Sequence, residues 1–319
     1  MEHAGPTERA GVHLAWSAVP ARVHAWAREV AGGPIDHVVE CAGGFSPGAT
    51  ARLARGDGCE IFVKAVGAEL NPESPGIHRR EAAVAAALPE SSLWPRLLDT
   101  FDDGSWVALA FEAIDGANPA LPWAEPVLDA AMAGLESLHG ALTPSPVSVV
   151  PPASIRLRAV LNGWHMLVED PDAATRLDPW SRRHLDRLVD VETGWPAACV
   201  GDTLVHCDIR SDNIVMRGDG TAAFVDWPHA AVGAGFVDLV FWAPSLVLEG
   251  GPDPESLLAR YRGATGVDPE AVTTMVAALA GFFISRSLQP DPPGLPTLRR
   301  FQAAQGEVAR AWLQRRTGW

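Results

Sequence analysis

Residues 204–230 read "LVHCDIRSDNIVMRGDGTAAFVDWPHA", and the order of apolar and polar residues within them decides the fold. Leu204 and Val205 lead into a dense polar cluster of His206, Asp208, Arg210, Asp212 and Asn213. A short apolar run, Ile214 to Met216, then meets the turn "RGDG", and the return run "TAAFVDW" sets Asp226 thirteen residues after Asn213. Two such runs around a glycine turn predict a hairpin. Pairing them brings Asp208, Asn213 and Asp226 to one end of it. Two carboxylates and a carboxamide there form a hard-oxygen site suited to magnesium, which fills the rest of its shell with water and phosphate oxygens. Asp, Ser and Asn also cap turns by bonding nearby backbone, and that simpler role suits Ser211 and Asp212.

A site of this kind needs a partner upstream. Residues 37–66, "HVVECAGGFSPGATARLARGDGCEIFVKAV", alternate apolar runs with glycine turns and predict three antiparallel strands. The third strand holds Lys64, the only lysine among 25 basic residues. Strand alternation puts Phe62, Lys64 and Val66 on one face, so the ammonium rises from apolar neighbours. In the Ala-rich helix that follows, Glu81 shares a stripe with Val84, Ala85 and Leu88. A carboxylate on an apolar stripe calls for a cation, and a lysine on an apolar strand face calls for an anion. Residues 12–33 also predict a helix, and "LWPRLLDTFDDGSWVALAFEAIDG" predicts two further strands.

From Trp123 the texture becomes helical. Val127, Ala130, Ala131, Leu135 and Leu138 stripe one helix, and residues 156–168, 181–195 and most of the chain beyond Trp227 predict others. The boundary therefore falls near 115, with 1–115 as a strand-rich unit and 116–319 as a helical one. Length is consistent with two such units. Of twelve tryptophans, Trp123, Trp164, Trp180, Trp242 and Trp312 fall in the helical part, most of them as core.

Composition narrows the function classes. With 47% hydrophobic and 20% charged residues the chain is globular, and no apolar run reaches the ~18 residues of a membrane span. The N-terminal residues lack the basic-then-apolar order of a secretory signal. Four cysteines without a CxxC pair fit reduced thiols, and the expected location is cytoplasmic. The net charge of −14 argues against nucleic-acid partners and is compatible with a cationic small molecule. Acids and bases number 16 and 9 in residues 1–120 and 23 and 16 beyond, so the acidity is shared evenly and also serves solubility.

"HCDIRSDN" followed by "VDW" resembles the catalytic and metal-binding segments of the protein-kinase-like fold. In detail it is similar to the aminoglycoside phosphotransferase family, whose cousins are choline and homoserine kinases. Only eleven residues lie between Asp226 and Asp238 of "FVDL", which leaves no room for a long activation segment and argues against a protein substrate. The resemblance covers roughly residues 43–238. It implies an α+β, two-lobe fold, with a small N-terminal antiparallel-sheet lobe plus one helix and a larger, mainly helical C-terminal lobe. Asp208 then resembles the base that positions a substrate hydroxyl, and Asn213 and Asp226 the magnesium ligands. Arg210 resembles a cation near the transferring phosphate, His206 a structural residue, and Asp238 a brace of the catalytic loop. Lys64, paired with Glu81, resembles the lysine that meets the α- and β-phosphates. "GGFSPGA" resembles a phosphate-covering loop, with Gly44 and Gly48 letting backbone approach and Ser46 at the tip. "LAFEAIDG" resembles the hinge, with the Glu112 carbonyl and Ile114 amide against the adenine.

The function so implied is transfer of a phosphoryl group from ATP (or GTP), with Mg2+, to a hydroxyl of a small molecule, an antibiotic of the aminoglycoside type or a relative. A kinase of a housekeeping metabolite, such as a sugar or an amino alcohol, shares every one of these residues. The third reading, a catalytically silent kinase-like binding protein, has no chemical reason to keep Lys64, Asp208, Asn213 and Asp226 together. The acceptor pocket is expected in residues 165–190 and the last 70, where Glu169, Asp170 and Asp172 either meet ammonium groups or tip a solvated loop. The protein is expected as a monomer or homodimer.

Overall fold

The computed structural model describes residues 12–41, 45 and 47–319. Its first part is built on a five-stranded antiparallel sheet of β1 (His37–Glu40), β2 (Ala49–Ala54), β3 (Glu60–Gly67), β4 (Leu97–Asp102) and β5 (Trp106–Glu112), in the order β1-β2-β3-β5-β4. β3 lies centrally, so Lys64 stands between Thr50 of β2 and Leu109 of β5. Alternation divides the sheet into two faces. Ile61, Val63, Ala65, Ala108 and Ala110 pack against Val23, Trp26 and Ala27 of α1 (Ala21–Ala31). The opposite face, with Phe62, Val107, Leu109 and Phe111, receives Ala82 and Ala85 of α2 (Ser74–Ala87). α1 lies within residues 12–33, where the sequence predicts a helix, and it covers the face turned away from Lys64, so this part of the chain carries two helices rather than the one the resemblance implies.

The rest of the chain is mainly helical. α3 (Glu125–Ala141) opens it, and α4 (Ala153–Arg156), α5 (Gly163–Glu169), α6 (Pro171–Thr175), α7 (Pro179–Arg183), α8 (Leu185–Glu192) and α9 (Trp195–Ala198) follow. Four short strands come next: β6 (Thr203–Val205), β7 (Ile214–Met216), β8 (Ala222–Phe224) and β9 (Ala231–Gly233). α10 (Phe236–Leu248), α11 (Pro254–Arg260), α12 (Pro269–Ser287) and α13 (Leu298–Thr317) complete it. Leu128, Ala131, Leu135 and Leu138 of α3 join Trp164, Trp242 and Trp312, all fully buried, in one core. Trp180, also expected in the helical part, is half-buried and stacks on the equally half-buried Trp319.

Two helices expected from the sequence are broken: residues 181–195 divide among α7, α8 and α9, and residues 156–168 divide between α4 and α5. Residues 157–162 turn between α4 and α5 because Gly163 lies against α12. A Cβ on Gly163 would sit 2.0 Å from the Gly281 carbonyl oxygen, so the two backbones touch where the new helix begins.

The helical part is also tied back to the sheet. Val12 N donates to Gly294 O (2.8 Å) and Asn71 Nδ2 to Pro293 O (2.9 Å), while the Phe45 ring meets that of Phe301 on α13 at 4.9 Å. Among the described residues no helix is long and apolar enough to cross a membrane.

Candidate active site

β7 and β8 pair as the hairpin expected, with Ile214 opposite Phe224. The hairpin sets Asn213 beside Asp208 and turns Asp226 toward the sheet. β6 pairs with β9, which the sequence did not signal, and so fixes the lead-in to the loop against the chain that leaves it.

The loop is held from below by one carboxylate. Asp238, fully buried on α10, accepts from His206 N (2.9 Å) and Cys207 N (2.6 Å). Two successive amides aimed at one carboxylate demand an unusual backbone, and Cys207 adopts φ 61°. That left-handed conformation is costly outside glycine and persists only where surroundings over-determine it. His139 Nε2 lies 2.8 Å from the same carboxylate, and Tyr261, the only tyrosine, bonds His139 Nδ1. His206 Nε2 donates to Val225 O (2.9 Å), a structural use of that ring. Burial, then the Asp238 and Asp208 charges, push the Cys207 thiol well above its ordinary range, which disfavours the thiolate a nucleophile needs.

Lys64 joins the two parts of the chain. Its Nζ lies 2.8 Å from Glu81 Oε1 and 2.6 Å from Asp226 Oδ1. The Glu81 contact follows from alternation and helical stripe; the Asp226 contact spans 162 residues and carries no local signal. Burial opposes the ammonium, but the Asp226 and Glu81 charges outweigh it and hold Lys64 above the usual lysine range. One ammonium does not satisfy two carboxylates equally. Burial pushes Glu81 up to about 7 against the pull of Lys64, and the Asp226 charge adds to the rise. Asp226 also meets burial, but Lys64 and Arg210 hold it below the ordinary carboxylate range.

Arg210 is similarly engaged. Nη1 donates to Asp208, and Nε and Nη2 donate to Asp212 Oδ1 (3.0 Å) and Oδ2 (3.2 Å). Asp212 therefore does more than cap a turn: it holds the guanidinium over Asp208. Burial works against that charge, yet Asp208 and Asp212 raise Arg210 above its ordinary value. Asn213 Nδ2 donates to Asp208 O (2.8 Å) and approaches its Oδ2 (3.3 Å). Both contacts use the nitrogen and leave Oδ1 as an acceptor. Asn213 Oδ1 and the Asp226 carboxylate thus fit a magnesium ion completed by phosphate and water. Among the described residues no three His, Cys, Asp or Glu side chains gather as a cage that would hold a metal without phosphate.

Lys64, Glu81, Arg210, Asp212, Asn213 and Asp226 line a cleft with a cavity of about 250 Å³, and Asp208 sits behind Arg210 and Asn213 without lining it. Phe62, Phe111 and Ala85 supply apolar surface, Glu112 and Ile114 line one part, and Arg210, Asn213 and Asp226 another. Ile114 O accepts from Arg52 Nη2 (2.6 Å), so that carbonyl is occupied. Gly44 and Ser46 lie outside the described residues. Gly48 does not line the cleft: at φ 134° its missing side chain avoids the Ala65 carbonyl, which a Cβ would meet at 2.4 Å. Phe45, Arg52, Asn118 and Asp212 line the cleft and were not singled out as site residues in the sequence. Elsewhere Asp170 caps α6 through Ala173 N (3.0 Å) and, with Glu169, borders a separate hollow beside Ser285 and Gln289.

A family model described as the phosphotransferase enzyme family matches residues 38–274. The chain belongs to that family. No curated protein sequence matches this phosphotransferase. Solved structures that resemble it include spectinomycin phosphotransferase APH(9)-Ia with ADP and spectinomycin, at 14% identity and TM-score 0.61, covering 92% of this chain and 98% of that one. A thermostable mutant of aminoglycoside phosphotransferase APH(4)-Ia with ADP and hygromycin B matches at 15% identity and TM-score 0.59, again covering 92% and 98%. Choline kinase LicA from Streptococcus pneumoniae matches at 14% identity and TM-score 0.59, covering 91% and 100%. The phosphotransferase therefore has the two-part kinase-like fold, and its class is that of small-molecule kinases.

Proposed function

We propose that this phosphotransferase moves the γ-phosphoryl group of ATP to a hydroxyl of a small-molecule antibiotic, in the cytoplasm, as a monomer or homodimer. The observation that supports the reading is the chain of charges Glu81–Lys64–Asp226, which sets the Lys64 ammonium between the sheet and the loop of Asp208, where in this reading it would bind phosphate. In this reading residues 1–115 hold the nucleotide and residues 116–319 hold the acceptor.

Each residue then has a task. Lys64 meets the α- and β-phosphates, with Glu81 fixing its position. The Glu112 and Ile114 main chain receives the base, and the loop around Gly44 and Ser46 covers the phosphates. Asn213 and Asp226 would hold magnesium, which when bound would supply positive charge to offset that of the phosphates. Asp208 orients the acceptor hydroxyl and takes its proton as the new O–P bond forms. The bond between the γ-phosphorus and the β,γ-bridging oxygen breaks, and ADP leaves with the electron pair. Arg210, at the edge of Asp208, supplies donors for the charge that gathers on the transferring group.

The likeness to choline kinase matches that to the antibiotic phosphotransferases, which keeps a metabolite acceptor as the second reading. A panel of aminoglycosides, other antibiotics, amino sugars and amino alcohols, incubated with magnesium and ATP, separates the two by the mass of the phosphorylated acceptor. Asp208→Ala is expected to lower transfer by about 10²- to 10⁴-fold. Full transfer by that variant overturns the assignment.

A further inference from the structure

The one-turn helix Ser211–Asn213 carries Asn213, follows directly on Arg210 and includes the Asp212 that holds it. Two side chains outside the reacting groups grip that turn. Glu249, at the C-terminal cap of α10, is 4% exposed. Ser211 Oγ donates to its Oε1 (2.8 Å) and Trp123 Nε1 to its Oε2 (2.9 Å), while Trp123 N donates to the Glu249 carbonyl (3.2 Å). From the cleft side, Asn118 Nδ2 reaches the carbonyls of Ser211 (3.3 Å), Asp212 (3.0 Å) and Ile214 (2.8 Å).

A carboxylate so deeply buried is an inefficient way to stabilise a core. Burial costs a charged group heavily, and well-packed apolar residues often serve as well or better. What it provides instead is direction. A charged acceptor makes shorter and stronger hydrogen bonds than a neutral one, and one of the two here lands on the hydroxyl between Arg210 and Asp212. Trp123 and Asn118 both belong to the segment that leads from β5 to α3, so the turn is referenced to the part of the chain that follows the base-binding strand.

We propose that Glu249 is a positioning residue for phosphoryl transfer, setting through Ser211 the turn that carries Arg210, Asp212 and Asn213. The proposal rests on the reading of the site given above. Its test uses Ser211→Ala and Glu249→Gln in the full-length protein, with binding of the ATP analogue AMP-PNP measured calorimetrically in EDTA and in magnesium. Turnover is followed as phosphate release from magnesium-ATP, with water as acceptor. The variants are expected to bind the analogue as wild type does in EDTA. They lose about tenfold or more of the affinity gained on adding magnesium, and a similar factor in turnover, as suits one lost bond to a charged group. Ser211→Thr, which keeps the hydroxyl, restores most of both.

Wild-type magnesium dependence and turnover in Ser211→Ala overturn the proposal. An equal loss of affinity with and without the metal also overturns it, because a loosened fold acts that way. If Glu249→Gln does not fold, Ser211→Ala decides alone. Asp208→Ala is the control: wild-type turnover in that variant defeats the site reading itself, whatever the other variants do.

Discussion

Replacing Glu81 with glutamine should make the protein more stable at neutral pH and a poorer catalyst. Glu81 is 2% exposed and shares one ammonium with Asp226, whose side chain is 25% exposed and better hydrated. The cost of that arrangement falls on Glu81, pushed from the ordinary 4.5 up to about 7. A folded-state pKa raised above the unfolded one gives stability that is fully present below pH 4.5 and lost as pH rises through about 7. About 2.5 pH units at 1.36 kcal/mol each set the loss at roughly 3 kcal/mol above pH 7. Glutamine keeps the shape and an acceptor for Lys64 but does not titrate. Urea unfolding of both proteins should therefore agree within about 0.5 kcal/mol at pH 4.5. By pH 8 the variant should lead by up to about 3 kcal/mol, while phosphate release from magnesium-ATP falls at least about tenfold, because a neutral acceptor holds the Lys64 ammonium less firmly than a carboxylate does. A stability difference that stays flat from pH 4.5 to 8, or a variant weaker at pH 8, refutes the account of the shared lysine.

His78, one turn before Glu81 on α2, titrates in the opposite sense. Burial and then the Lys64 charge lower it to about 4, so its stability contribution is present above pH 6.5 and lost as pH falls through 4; His78→Gln should flatten that acid limb, by up to about 3 kcal/mol in urea unfolding at pH 4. Lys64→Arg should leave the melting temperature within a few degrees but cut turnover by about 100-fold, because a planar guanidinium does not fit between two carboxylates where the ammonium now sits. Gly163→Ala should destabilise by about 2 kcal/mol or more in thermal unfolding, since its Cβ meets the Gly281 backbone with no flexible side chain to yield.

The sequence made legible whatever rests on local periodicity. Alternation along β3 placed Lys64 on the face of Phe62, and a helical stripe placed Glu81 opposite it, so their 2.8 Å contact was readable without a tertiary model. The apolar–turn–apolar order likewise foretold the β7–β8 hairpin. Contacts set by crossing elements were not legible. Asp226 meets Lys64 only because the two parts of the chain close on each other, and α5 starts at Gly163 only because α12, more than a hundred residues later, touches it. Asp212 resembled a turn cap because Asp caps turns in most contexts; its grip on Arg210 depends on side-chain orientations that spacing does not encode. Asn118 carried no signal at all, being one polar residue in a linker whose three carbonyl partners lie 93 to 96 residues away.

The ties from the helical part to the sheet change what opening the cleft involves. A kinase-like molecule joined only after its last sheet strand behaves as a jaw, and nucleotide leaves when the jaw swings. Here Gly294 holds Val12, Pro293 holds Asn71, and Phe301 meets Phe45, so the chain makes a second crossing and the jaw becomes a ring. A ring resists swinging as a whole. Wide opening of the cleft has to break two hydrogen bonds and an aromatic contact together, at a point far along the chain from the single link after β5.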